Sequence, residues 1–181
     1  LRLLNEEWQT GKFEYKVREE KFKEQGKEML ANYFDNIKKS PPSVVETEYD
    51  FSFQIDNITI VGTIDRIDQN GDKGISITDY KTSKTPTKAK NSLQLAIYSL
   101  YLEQSQDSMI SGSPISSNLY FLRNNEDPIS MHKFMGEELE SVKDKIVDVS
   151  MGIKNKNFKP EKGNHCNWCD YKDLSCPAWE D

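Results

Sequence analysis

Three runs of alternating apolar and polar residues between positions 44 and 81 constrain the fold more than any other part of the chain. VVETEYDFSFQI alternates, Asp56-Asn57 offers a tight turn, ITIVGTIDRI alternates or runs apolar, QNGDKG supplies a second turn, and GISITDYK opens the third run. A period of two puts one set of side chains on each face of a strand, and Asn- and Gly-rich breaks between such runs are turn chemistry. The segment therefore predicts a three-stranded meander.

On either side of it the period is helical. The first forty residues, rich in Glu and Lys with Leu, Trp, Phe, Tyr and Met at helix-like intervals, predict two helices broken near Gly11 and ended by Pro41-Pro42. After the polar loop TSKTPTKAK, the segment SLQLAIYSLYLEQ predicts a helix with Leu93, Ala96, Ile97 and Leu100 on its apolar face. SSNLYFLR and ISMHKF predict two further strands around the turn NNEDP, and a charged amphipathic helix follows over about 137–153. The expected architecture is α+β: a mixed sheet of about five strands flanked by helices, with the meander at its centre. A chain of 181 residues, 35% hydrophobic, suits one domain spanning 1–181.

No apolar run approaches the roughly 18 residues of a membrane span, and the opening LRLLNEEWQTGKFEYK is too charged for a secretory signal. These features predict a soluble, cytoplasmic protein with no membrane partner. The net charge of −6 excludes a broadly basic nucleic-acid binder, so any DNA contact must be local. Lys84, Lys88 and Lys90 form one candidate group, and Lys154, Lys156, Lys159 and Lys162 a second. Both also read as solvated loop charge.

The chemistry concentrates in GTIDRID and ITDYKTSK. They put Asp65 and Asp79 on neighbouring strands, with Lys81 two residues after the second acid and so on the same strand face. Two adjacent carboxylates repel unless a cation lies between them, and oxygen ligands suit Mg²⁺ or Mn²⁺. Such an ion polarises a phosphate and acidifies a bound water, while a lysine orients that water or balances developing charge. The alternative is that Asp65 pairs with Arg66 or another cation and that Asp79 and Lys81 form an ordinary solvent-facing pair.

Taken in order, these motifs resemble the PD-(D/E)xK nuclease superfamily, and within it the RecB/AddB-like and CRISPR-associated exonuclease branch. The resemblance runs from about Val44 to Pro177 and implies a restriction-endonuclease-like fold and metal-dependent DNA cleavage. It assigns Asp65 and Asp79 as metal ligands, the main-chain carbonyl of Tyr80 as a further ligand, and Lys81 as the catalytic lysine. QLAIY resembles the branch's Q-x-x-x-Y motif, with Gln94 and Tyr98 on one helical face near the active site. Glu48, in VETEYDF, stands where relatives often carry a glutamate on the first strand.

The segment 163–178 holds the chain's three cysteines, Cys166, Cys169 and Cys176. Their spacing resembles the last three ligands of a [4Fe-4S] cluster in iron-sulfur members of the branch, whose fourth cysteine lies upstream. No cysteine precedes Cys166 here, and four are normally required; zinc completed by His165, or no metal at all, are the alternatives. Relatives also carry an early metal-binding histidine, whereas this chain has only His132 and His165, both after the acids. Both absences predict a domain lacking its N-terminal segment, or else a degenerate natural domain. The resemblance thus implies a DNA exonuclease acting with a helicase or a recombination and repair protein; a catalytically inactive DNA-binding or scaffolding module is the competing expectation.

Overall fold

The computed structural model describes residues 1–71, 74–105, 110, 114–172 and 174–179. Two compact units divide the chain, Leu1–Val142 and Lys143–Asp181. In the first, helices α1 (Arg2–Glu7) and α2 (Lys16–Lys39) precede strands β1 (Val44–Ile55), β2 (Ile58–Gln69) and β3 (Ile75–Lys81). Helix α3 (Leu93–Gln104), strands β4 (Ser116–Phe121) and β5 (Ile129–His132) and helix α4 (Glu137–Lys154) follow, the last crossing the division between the units. The five strands form one mixed sheet in the order β1-β2-β3-β4-β5.

Local chemistry explains the meander. Ile55 pairs with Ile58 across the two-residue turn at Asp56-Asn57, and Asp56 takes a φ of 52°, the left-handed conformation that tight hairpin turns require and that Asp tolerates. At the second turn the Asn70 amide donates to the Gly74 carbonyl at 2.8 Å, and Gly74 holds a φ of 110°. From β3 the chain crosses through α3 and returns as β4, parallel to β3. A parallel neighbour demands such a crossover, because a tight turn can only reverse direction. The meander is consequently not at the centre of the sheet, as its sequence suggests, but on one side: β1 is an edge and β3 is the central strand, antiparallel to β2 and parallel to β4.

The core lies around α3, where Ile64, Ile67, Ile77, Leu95, Leu100, Leu119 and Phe121 are all at most 2% exposed. Each such side chain contributes about 1.5–3 kcal/mol relative to its exposed state. The apolar face expected for α3 needs correction. Leu93 is 40% exposed and Ile97 only half-buried, whereas Leu95, Tyr98, Ser99, Tyr101 and Leu102 join Ala96 and Leu100 in the interior. A helix apolar on nearly all sides sinks into the core rather than resting on it by one stripe. Its first turn, capped by Ser92 Oγ accepting from the Leu95 amide at 3.3 Å, stays at the surface and presents Gln94 there.

Helix α2 contains no fully buried residue and attaches to the sheet through tyrosines. Tyr33 stacks edge-on against Tyr80 of β3 and Tyr120 of β4, with ring centroids 5.5 and 5.2 Å apart. On β1, Phe51 packs against Tyr98 and Tyr101 of α3, and Gly62 of β2 leaves room for its ring: a Cβ there would lie 2.7 Å from Phe51 Cζ. Gly62→Ala is expected to destabilise the fold by about 1–3 kcal/mol, or about 2–4 °C in Tm per kcal/mol. On a Phe51→Leu background the same change should cost much less, so equal losses in thermal denaturation on both backgrounds would refute this packing account.

Candidate active site

Strands β2 and β3 stop pairing where the site begins. Their register ends at Arg66↔Thr78, and just beyond it the Tyr80 amide donates to Asp65 Oδ2 at 2.8 Å. A side chain of β2 thus closes the end of the ladder, fixing Asp65 beside Asp79. Asp79 is 2% exposed, and its Oδ2 lies 2.6 Å from Lys81 Nζ. The angles of that approach are not those of an aligned hydrogen bond, so the buried Oδ2 keeps acceptor capacity.

Burial pushes the Asp79 carboxyl above the usual range; the Lys81 ammonium beside it opposes the rise, and the neighbouring Asp65 adds to it. The ammonium itself is held from a second side, donating to Gln94 Oε1 at 2.8 Å. Gln94 Nε2 donates to the Tyr98 hydroxyl at 2.7 Å, and that hydroxyl donates to the Thr63 carbonyl of β2 at 2.7 Å. An unbroken chain of polar contacts therefore runs from Asp79 through Lys81, Gln94 and Tyr98 back to β2. Burial is the first cause of the raised Tyr98 pKa, relieved by Gln94 and reinforced by Asp79, Asp65 and Glu48.

That electrostatic reach brings Glu48 into the site's surroundings. It lies on β1 between the pairs Thr47↔Arg66 and Tyr49↔Ile64, at the level of Asp65, with a left-handed φ of 50°. A bulky non-glycine residue in that conformation costs roughly 1–2 kcal/mol, and such strain tends to gather at functional positions. Three carboxylates thus stand at one level on three consecutive strands. They are not drawn into a single coordination cluster: among the described residues, no group of three or more His, Cys, Asp or Glu side chains is close enough to hold a metal ion.

The alternative in which Arg66 neutralises Asp65 does not describe this site. Adjacent strand residues point to opposite faces, and Arg66 bonds elsewhere: Nε to Asp68 Oδ2 at 3.0 Å, Nη1 to the Tyr33 hydroxyl at 2.9 Å and to the Tyr80 hydroxyl, and Nη2 to Thr78 Oγ1 at 3.3 Å. The Tyr33 and Tyr80 hydroxyls are 2.6 Å apart. Burial alone would lower the Arg66 pKa; Tyr80, Asp68 and Tyr33 outweigh it and raise it, while burial and the Tyr33 hydrogen bond push Tyr80 up. Sequence reading missed this network, although Arg66 and Asp68 two apart on one strand were its visible signal.

Other expected residues lie outside the centre. Lys84, Lys88 and Lys90 are exposed on the segment after β3. His132 is at the surface, with Nε2 2.9 Å from Glu138 Oε1. The cysteines belong to the second unit, where Cys166 is buried, Cys169 exposed and Cys176 intermediate. Cys166 Sγ accepts from the Gly163 amide at 3.4 Å, and the Cys176 amide donates to the Tyr171 carbonyl at 3.1 Å. The cluster or zinc knuckle suggested by their spacing is not supported, since among the described residues the three thiols form no metal-competent group.

A buried carboxylate with spare acceptor capacity, a second acid beside it and a lysine on the same strand thus stand together at the end of the central strand of a mixed sheet. The family model for the PD-(D/E)XK nuclease superfamily matches residues 1–177, and the chain belongs to that superfamily. Among solved structures, the crystal structure of SSO0001 matches with a TM-score of 0.50 at 19% identity, covering 91% of this chain and 81% of that one, a likeness of fold. No curated protein matches.

The raised Asp79 pKa has a consequence for folding. Where the folded state holds a carboxyl above its unfolded value, stability is greatest at low pH and falls as pH rises through that window. Asp79→Asn is therefore expected to stabilise the metal-free protein at neutral pH, read as a rise in Tm. The gain should shrink as the pH is lowered toward the acid range; a loss of stability at neutral pH would contradict the desolvation account.

Proposed function

We propose that the protein is a metal-dependent deoxyribonuclease, acting as an exonuclease within a helicase-nuclease or DNA repair and recombination system. The observation that carries this reading is the polar chain Asp79–Lys81–Gln94–Tyr98 with Asp65 bonded to the Tyr80 amide. A superfamily match supports the nuclease class.

The donor set fits Mg²⁺ or Mn²⁺. Both favour hard oxygen ligands, and Asp79 Oδ2, buried without an aligned donor, and Asp65, already fixed through its other partner, are such ligands. Asp65, Asp79 and the main-chain carbonyl of Tyr80 would hold the ion, which when bound polarises the scissile phosphate and lowers the pKa of water. Glu48 is an accessory acid at the same level of the sheet. The thiols give no comparable support for a cluster or zinc.

The chain's own residues supply the rest. Lys81 Nζ is positioned to face the phosphate, balancing the charge that grows on its oxygens and orienting the attacking water. Gln94 Oε1 fixes the ammonium's direction, and Tyr98, tied to the Thr63 carbonyl, fixes Gln94. In the metal-free protein Lys81 partly neutralises Asp79, so removing either residue leaves the other without its closest opposite charge. The exposed Lys84, Lys88 and Lys90 provide local positive charge for DNA in an otherwise acidic molecule.

Cleavage of end-labelled single- and double-stranded DNA with Mg²⁺ or Mn²⁺ tests this reading. Lys81→Ala is expected to reduce cleavage by about 10²-fold or more, and Gln94→Ala by about tenfold through misplacement of the ammonium. Processive loss from the labelled end marks an exonuclease, and internal cuts an endonuclease. DNA binding without cutting by the wild-type protein, unchanged in Lys81→Ala, would favour an inactive scaffolding module instead.

A further inference from the structure

The proposed centre does not account for a polar cleft elsewhere in the first unit. It has a volume of about 240 Å³ and lies between α2 and the segments that leave β3 and β4. Gln25, Glu28 and Asn32 of α2 line one wall; Lys84, after β3, and Arg123 and Asn125, after β4, line the other. The Arg123 guanidinium donates to Gln25 Oε1 at 3.3 Å, yet its Nε is buried without any hydrogen-bond partner in the protein. A buried donor on a charged group is costly to leave unmet. Asn32, Asn125 and Lys84 add further polar and cationic groups around the same space.

We propose that this cleft is a phosphate subsite, holding one backbone phosphate of the DNA strand within about three nucleotides of the scissile bond, with Arg123 and Lys84 as its cations. The idea rests on the nuclease reading above and adds the path of the substrate to it. Guanidinium groups favour phosphate because a planar fork meets two oxygens at once, and Arg123, held through Nη2 by Gln25, lines the cleft beside Lys84. Two connections tie the cleft to the end of β3 that carries Lys81. Lys84 follows Lys81 by three residues and so lies no more than about 11 Å from it along the chain, about three nucleotides of axial rise. The Leu122 amide donates to the Lys81 carbonyl at 2.9 Å, tying the Arg123 segment to the end of β3 as well.

Glu28 gives the proposal a sign test. It is an exposed carboxylate on the rim of a cleft that otherwise favours anions. A phosphate in the cleft must approach it, so neutralising Glu28 should strengthen binding while neutralising either cation weakens it.

The experiment is fluorescence anisotropy of a short single-stranded oligonucleotide with the full chain, in EDTA so that nothing is cut, over a range of salt concentrations. Arg123→Gln and Lys84→Gln should each weaken binding about five- to tenfold and reduce the salt slope by about 0.7, whereas Glu28→Gln should tighten it about twofold. Lys84 is exposed on a loop, so Lys84→Gln keeps the test valid if Arg123→Gln fails to fold. Unchanged affinity and slope in both cation variants, with cleavage by the wild type intact, would overturn the subsite and leave the nuclease reading standing. Arg123-dependent oligonucleotide binding by a protein that never cuts DNA would do the reverse. Titration with inorganic phosphate separates the remaining source: if it alone, and not the oligonucleotide, perturbs the Arg123 guanidinium signals in NMR, the cleft takes free phosphate and the strand proposal falls.

Discussion

The contact between Asp79 and Lys81 organises this molecule's chemistry, because it places a carboxylate that is 3% exposed within 2.6 Å of an ammonium that is 34% exposed. Burial makes the carboxylate avid for a cation, and partial exposure lets the ammonium face a substrate. Neither property belongs to the residues alone. Both follow from their position at the end of the central strand, where β2 has stopped pairing and β4 has not.

The two faces of β3 do different work. Thr78 and Tyr80 turn toward Arg66, Asp68 and Tyr33, a network that anchors α2 and fixes the backbone between Asp79 and Lys81. Asp79 and Lys81 lie on the other face, where Gln94 and Tyr98 of α3 hold the lysine. Tyr80 links the two, since its side chain belongs to the first network while its amide holds Asp65. Precise placement of the acids therefore depends on both flanking helices, although α2 contributes no residue to the proposed ion site.

Much of this was legible in the sequence where local chemistry decides the outcome. Alternation fixed β1 to β3, Asp56-Asn57 marked a real two-residue turn, and the spacing of Asp65, Asp79 and Lys81 brought them together once the strands paired. Matters settled by tertiary packing were not legible. Whether the meander is central or lateral depends on which edge accepts β4, a choice no residue in 44–81 announces. The burial of α3 around most of its circumference likewise depends on its neighbours, so Leu93 and Ile97 looked like core and are not. The cysteine spacing raised an expectation of metal that the arrangement of the thiols does not support. Arg123 carried no sequence signal, because the cleft it lines exists only after α2 and the end of β4 come together.

The most direct test of the central claim, that Asp65 and Asp79 create the ion site, is a Mn²⁺ titration followed by electron paramagnetic resonance. The wild-type chain should bind an ion that Asp65→Asn and Asp79→Asn both lose, while Asp68→Asn, which alters the acid paired to Arg66, should retain it. Mn²⁺ binding that survives Asp79→Asn would place the ion elsewhere and contradict the account.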